Sequence, residues 1–194
     1  MTSYTVTPLA EDIFLVNLLE PAFCQELIRL AQQKALQAAD ILLETVDNQV
    51  RSGDLLRLGE SDPELKAANQ ALLERFAVIK QLLMQVYGVP FPYAEPCTIL
   101  RYRPGQFYKR HIDNLLLGSR FEELEQGIPT RDISIVGYLN DGFSGGETYF
   151  DRQDIKVTPQ TGAVLVFPAG FTHPHASLPL LQGEKYAFTS WLFH

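Results

Sequence analysis

His111 and Asp113 stand two residues apart in YKRHIDN, and on an extended strand that spacing puts both side chains on one face. A neutral imidazole and a carboxylate so placed can take adjacent positions on one metal ion without distorting the backbone. A third ligand is available in FTHPHASLPLLQGEKYAFTSWLF, where His173 and His175 also share a strand face, so alternation alone does not separate them. Two imidazoles and one carboxylate with open coordination positions suit non-haem Fe(II). Ten residues after His175 comes Lys185, heading a strand with Lys185, Ala187, Thr189 and Trp191 on one face and Tyr186, Phe188, Ser190 and Leu192 on the other. Both faces are largely apolar. An ammonium there either sits at the strand's wet end or is held inside by an anion, and a lysine facing the metal could bind the far carboxylate of a chelating dicarboxylic acid.

The elements that must position these residues follow from periodicity. Pro21 suits a first helical turn, and Cys24, Leu27, Ile28 and Ala31 form an apolar stripe, which predicts a helix over about 21–36. Ser61 and Glu64 make a capping-box pattern around Pro63, and Leu65, Ala68, Leu72, Phe76, Ile79, Leu83 and Val86 continue it at steps of three and four until Gly88 and Pro90. After Pro90 the period changes to two, in CTILRY, DISIVGYLN, ETYFD, AVLVFP and KYAFTSWLF. No helical stripe separates the later strands, which favours an antiparallel jelly roll over a parallel sheet. The expected fold is α+β, a single domain over 1–194 with helical support over about 1–90 and a double-stranded β-helix core over about 91–194.

Composition narrows the functional classes. The 194 residues are 46% apolar and 20% charged, enough to build a core and too apolar for wholesale disorder. A net charge of −7 works against nucleic acid or an anionic membrane as partner. The stretch 157–183 lacks charged residues, but Pro159, Pro168, Pro174 and Pro179 prevent a membrane helix. Two cysteines, Cys24 and Cys97, cannot form a disulfide framework, and the N-terminus lacks the basic start and apolar run of a signal peptide, so a cytoplasmic setting is expected.

Taken together, Tyr102-x-x-Gly105, Tyr108-x-x-His111-x-Asp113, Arg131 and Tyr138, GGET, and His175-x9-Lys185 resemble the Fe(II)/2-oxoglutarate-dependent dioxygenases of the prolyl-4-hydroxylase type. The resemblance covers about residues 97–193. It implies that His111, Asp113 and His175 hold the iron and that Lys185 pairs with the C5 carboxylate of 2-oxoglutarate. The three remaining coordination positions would take two oxygens of the 2-oxo acid and O2. The implied reaction hydroxylates a C–H bond, foremost of a prolyl residue in a protein or peptide, with release of succinate and CO2; ascorbate is a candidate reductant. Only His175 reproduces the family interval to Lys185, in HASLPLLQGEKY, although Tyr186 stands where the family pattern has Trp. His173 then becomes a rim or supporting group.

Other residues take roles around this centre. Tyr138, Tyr102 and Thr189 could donate hydrogen bonds to 2-oxoglutarate, and Trp191 reads as cavity wall. Arg131 resembles a position at the active-site mouth, where it could touch substrate or make an ion pair. GFSGGETYF is turn chemistry leading into a strand. The basic run RYRPGQFYKR reads as a charged edge, and 114–130 is long enough to be a substrate-reading loop or lid. Two other functions remain compatible: hydroxylation of a free amino acid or other small molecule, and a non-catalytic metal-binding jelly-roll module. Oligomeric state is not legible.

Overall fold

A computed structural model describes residues 4–38, 49–59, 62–114, 125, 127 and 129–194. The chain opens with a hairpin of β1 (Thr5–Ala10) and β2 (Ile13–Asn17), followed by α1 (Pro21–Gln33), β3 (Gln37–Ala38), β4 (Asp54–Arg57) and α2 (Pro63–Tyr87). Next come β5 (Tyr93–Ala94), β6 (Thr98–Tyr102), β7 (Tyr108–His111), β8 (Ile133–Tyr138), β9 (Ser144–Gly145) and β10 (Thr148–Phe150). The last elements are β11 (Ile155–Val157), β12 (Ala163–Pro168), β13 (His175–Ser177), β14 (Leu180–Gln182) and β15 (Lys185–Phe193). No described helix is long and apolar enough to cross a membrane.

The strands form two facing antiparallel sheets and a small two-stranded piece. The larger sheet runs β1-β2-β12-β8-β15-β6-β4-β3, with β5 also paired to β15; the smaller runs β11-β10-β13-β7, and β14 pairs β9. The first ninety residues, expected as helical support, therefore also supply four strands to the larger sheet. The helices do cover its outer face. On β12, Val164 and Val166 join the core beneath the helices, while Ala163, Leu165 and Phe167 join the core between the sheets. That split is the period-two pattern of a strand buried on both faces.

Local chemistry sets the helix ends. In α1, Cys24, Leu27, Ile28 and Ala31 are buried as the stripe requires, but the helix stops at Gln33, short of the expected 36. In α2 the cap is Asp62, whose side chain accepts from the backbone N–H groups of Glu64 and Leu65; Ser61, the expected cap, lies outside the described residues. Gly88 ends α2 in the left-handed region at φ 67°. Leu72, Phe76, Ile79 and Leu83 are buried against the sheet, whereas Val86 is exposed. One glycine is required by packing: a Cβ on Gly137 of β8 would overlap the ring of Phe188, which stacks on Phe76 with centroids 6.3 Å apart.

Candidate active site

Strand register brings the chemistry together. In the smaller sheet His175 of β13 lies opposite His111 of β7 on one side and Phe150 of β10 on the other. Asp113 follows β7 directly, and its backbone N–H donates to the Ala169 carbonyl at 3.1 Å. His111 Nε2 lies 3.2 Å from Asp113 Oδ1 and His175 Nε2 lies 3.7 Å from Asp113 Oδ2. The three donor atoms fall within 4.8 Å of one another. His173, the rival for the third place, is not in this cluster.

Both imidazoles are held in the tautomer a metal needs. His111 Nδ1–H donates to the Lys109 carbonyl at 2.7 Å and His175 Nδ1–H to the His173 carbonyl at 3.2 Å. A carbonyl can only accept, so in the neutral ring the lone pair is on Nε2, which faces the cluster. Burial lowers the His175 pKa to about 4 against the pull of Asp113, so this ring is neutral at pH 7. For Asp113 burial acts upward, but His175, His111 and a hydrogen bond from Ser134 Oγ at 2.7 Å prevail and hold the carboxyl well below its usual range. A preformed carboxylate with two oriented lone pairs fits a divalent transition metal.

The other end of the cavity holds Lys185. It is 2% exposed. Its Nζ donates to the Gly146 carbonyl at 2.6 Å and to Ser177 Oγ at 3.2 Å, and lies 5.3 and 5.7 Å from the ring centroids of Tyr102 and Tyr138. Burial lowers its pKa to about 8, opposed by the negative charge of Glu147. The lysine is therefore inside rather than at a wet strand end, with a carbonyl and a hydroxyl where a counterion would be. Gly146, expected as turn chemistry alone, supplies that carbonyl at φ 69°.

One cavity of about 990 Å³ joins the two ends, lined by His111, Asp113, His175, Lys185, Tyr102 and Thr189 among others. Tyr138 is placed differently. It is fully buried and its hydroxyl pairs with Thr148 Oγ1 at 2.8 Å, so Thr148 rather than Tyr138 presents a hydroxyl on the cavity wall. Thr148 and Ser177 went unread in the sequence. Ser177 could have been found, two residues after His175 on the same face; Thr148 depends on its pairing with Ser177 across the sheet. Tyr108 lies flat on His111, ring centroids 3.6 Å apart.

Arg131 makes the ion pair expected of it. Its guanidinium grips Glu95 with two hydrogen bonds of 2.6 and 2.8 Å, donates to the Asp113 carbonyl at 3.2 Å, and lies 3.5 Å from the Trp191 ring centroid. It and Trp191 also line the cavity. The basic run is largely neutralised, with Arg101 paired to Asp54 and Arg110 to Asp151, each at 2.7 Å. Most of the 114–130 loop, with its expected lid role, lies outside the described residues.

Two facing antiparallel sheets around a His-Asp-His cluster, with a buried lysine across the cavity, are the architecture of a mononuclear non-haem iron enzyme. Residues 97–193 match the model of the 2OG-Fe(II) oxygenase superfamily, and the chain belongs to that superfamily. A protein of Acanthamoeba polyphaga mimivirus, named as a candidate prolyl 4-hydroxylase, is 30% identical over 194 residues, covering 95% of this chain and 74% of the relative. Among solved structures, a prolyl hydroxylase of Trichoplax adhaerens in complex with a hypoxia inducible factor peptide is similar with a TM-score of 0.74 at 19% identity, covering 94% of this chain and 83% of that one. A viral collagen prolyl hydroxylase of Paramecium Bursaria Chlorella virus-1, solved with 2OG, has a TM-score of 0.65 at 21% identity, covering 97% and 94%. The fold is thus the expected jelly roll, and the protein is a dioxygenase that uses Fe(II), 2-oxoglutarate and O2.

Proposed function

We propose that this dioxygenase hydroxylates a prolyl residue in a protein or peptide, with His111, Asp113 and His175 holding the iron and Lys185 receiving the far carboxylate of 2-oxoglutarate. The observation that carries the site assignment is a buried ammonium that makes no salt bridge among the described residues and faces the same cavity as the triad. Such a charge is costly alone and is compensated when an anion enters. Prolyl specificity is supported by the names of the relatives, the mimivirus protein and the Trichoplax enzyme with its peptide. A cavity of about 990 Å³ is also at the upper end for a small-molecule site, leaving room beside a five-carbon diacid.

Each residue's part follows from its position. When bound, the iron supplies oxygen activation coupled to decarboxylation of the 2-oxo acid. His111 and His175 offer oriented lone pairs, and Ser134 holds Asp113 by one oxygen. Lys185 fixes the diacid's far end, assisted by the hydroxyl groups of Tyr102, Thr148, Ser177 and Thr189 on the wall. Tyr138 acts through Thr148, whose hydroxyl it orients. Arg131 and Trp191 form one side of the mouth, where a peptide backbone would pass.

The whole chain reads as one domain, because the core beneath the helices joins α1 and α2 to β6, β8, β12 and β15. Buried, unbridged Cys24 and Cys97 agree with a cytoplasmic setting. The test is to supply proline-containing peptides with Fe(II) and 2-oxoglutarate, with and without ascorbate, and locate the added oxygen by mass spectrometry. Oxygen on proline with matching succinate is expected. Succinate release matched by oxygen on a free amino acid, or on another side chain, would replace the prolyl assignment.

A further inference from the structure

The iron triad is supported from one short segment outside the strands. Between β12 and β13, the Ala169 carbonyl accepts the N–H groups of Asp113 and Asn114 at 3.1 and 2.9 Å, and the His173 carbonyl accepts Nδ1–H of His175 at 3.2 Å. Two of the three proposed ligands therefore depend on where residues 169–173 lie. That segment is bend and turn: its start is held by the Ala169 N–H, which donates to the Asp132 carbonyl at 2.8 Å, and its far end has the His173 N–H on the Gly170 carbonyl at 3.1 Å and relies for the rest on side-chain anchors.

His173 is placed to be the main anchor. It is 4% exposed, its Nε2–H donates to the Glu11 carbonyl in the β1–β2 turn at 3.2 Å, and its Nδ1 accepts from the Thr172 hydroxyl at 2.9 Å. Both ring nitrogens are thereby engaged, in the tautomer opposite to that of His175, so no lone pair remains for a metal. A weaker second tie comes from Gln153, whose amide donates to the Thr172 carbonyl at 3.1 Å.

We propose that His173 is a positioning residue for the iron centre: by pinning the far end of this segment to the N-terminal hairpin, it holds its own carbonyl where His175 needs it. The hairpin lies outside the stretch matched by the superfamily model, so this coupling joins the metal site to a part of the chain beyond that stretch. The proposal rests on His175 being an iron ligand.

The experiment is an anaerobic titration with Fe(II) in the full chain, followed by 2-oxoglutarate, reading metal affinity and the visible absorption band of the ternary complex. His173→Phe keeps the ring volume without either hydrogen bond, and should weaken Fe(II) binding about 10- to 100-fold and shift the band. His173→Gln restores an N–H donor and should recover most of the affinity. Thr172→Val should cost a few-fold, and decides the matter if the Phe variant does not fold. Unchanged affinity and band in the Phe variant, Gln no better than Phe, or an unaffected Thr172→Val beside an unfolded Phe variant would overturn the proposal. If His175→Ala loses iron while His173→Phe keeps it, the ligand assignment stands and only the pin falls; if the native chain binds no Fe(II), both fall.

Discussion

At the metal end of the cavity the ligands are already oriented: the Asp113 carboxylate accepts from a serine hydroxyl, each imidazole is oriented by a carbonyl behind it, and the donor atoms converge where a cation would sit. At the other end a buried ammonium donates to a carbonyl and a hydroxyl and faces two tyrosine rings, with the charge of Glu147 acting on it but no salt bridge among the described residues. The first region is organised before anything binds, as a chelate must be if metal affinity is not to be lost in ordering its ligands. The second carries a charge that Glu147 offsets only in part, and the rest of its burial cost is recovered when a carboxylate arrives. The difference teaches that metal and diacid are recognised by separate devices. They should respond separately to substitution.

The largest expected effect breaks the chelate. His175→Ala, or His111→Ala, should abolish stoichiometric Fe(II) binding by titration and with it succinate formation, while a folded chain persists by circular dichroism. Lys185→Ala should leave Fe(II) affinity intact and remove the partner of a buried carboxylate, at about 3–5 kcal/mol. At about 1.4 kcal/mol per decade this weakens 2-oxoglutarate binding by roughly two to three decades, measurable by calorimetry under nitrogen. Loss of metal by the lysine variant would join the two devices into one.

A smaller effect sharpens the contrast. Because burial takes Lys185 from 10.5 to about 8, the charged form costs the ligand-free protein up to about 3 kcal/mol at neutral pH. Lys185→Met should therefore raise stability in denaturant titrations of the ligand-free protein while still destroying 2-oxoglutarate binding. A variant less stable than the native chain would mean that the ammonium is well compensated as it stands. The smallest effect is in pH. The native-state pKa is depressed, so the ammonium is fully present only well below pH 8, and 2-oxoglutarate affinity is flat there. Above pH 8 binding must take up a proton, and affinity should fall by up to about tenfold per pH unit. A fall that persists in Lys185→Met would assign the titration elsewhere.

Much of this was legible because β15 alternates so regularly. Lys185, Ala187, Thr189 and Trp191 do share the cavity face, with Tyr186, Phe188 and Leu192 turned to the helices. A lysine at the head of that pattern could sit at the wet end or inside, and the family resemblance, through the interval from His175, pointed inward. The β1–β2 hairpin was not legible. Its strands lack clean alternation, and Pro8 argues against a strand unless the pairing partner is known. Tyr138 was read on the correct face, but the sequence could not reveal that Thr148 intercepts its hydroxyl, since that contact is made across two sheets. The Glu95 partner of Arg131 was hidden because it lies on the other side of β15 in the same sheet, 36 residues away along the chain. Spacing within a strand is written in the sequence; register between strands is set by the packing of the whole.

The most direct test is the ternary complex itself. Fe(II) added anaerobically to the native chain and followed by 2-oxoglutarate should produce a visible charge-transfer band that Lys185→Ala forms only at far higher 2-oxoglutarate and His175→Ala does not form at all. A native chain that gives no such band, and releases no succinate once oxygen is admitted, would contradict the convergence of these residues on a working iron site.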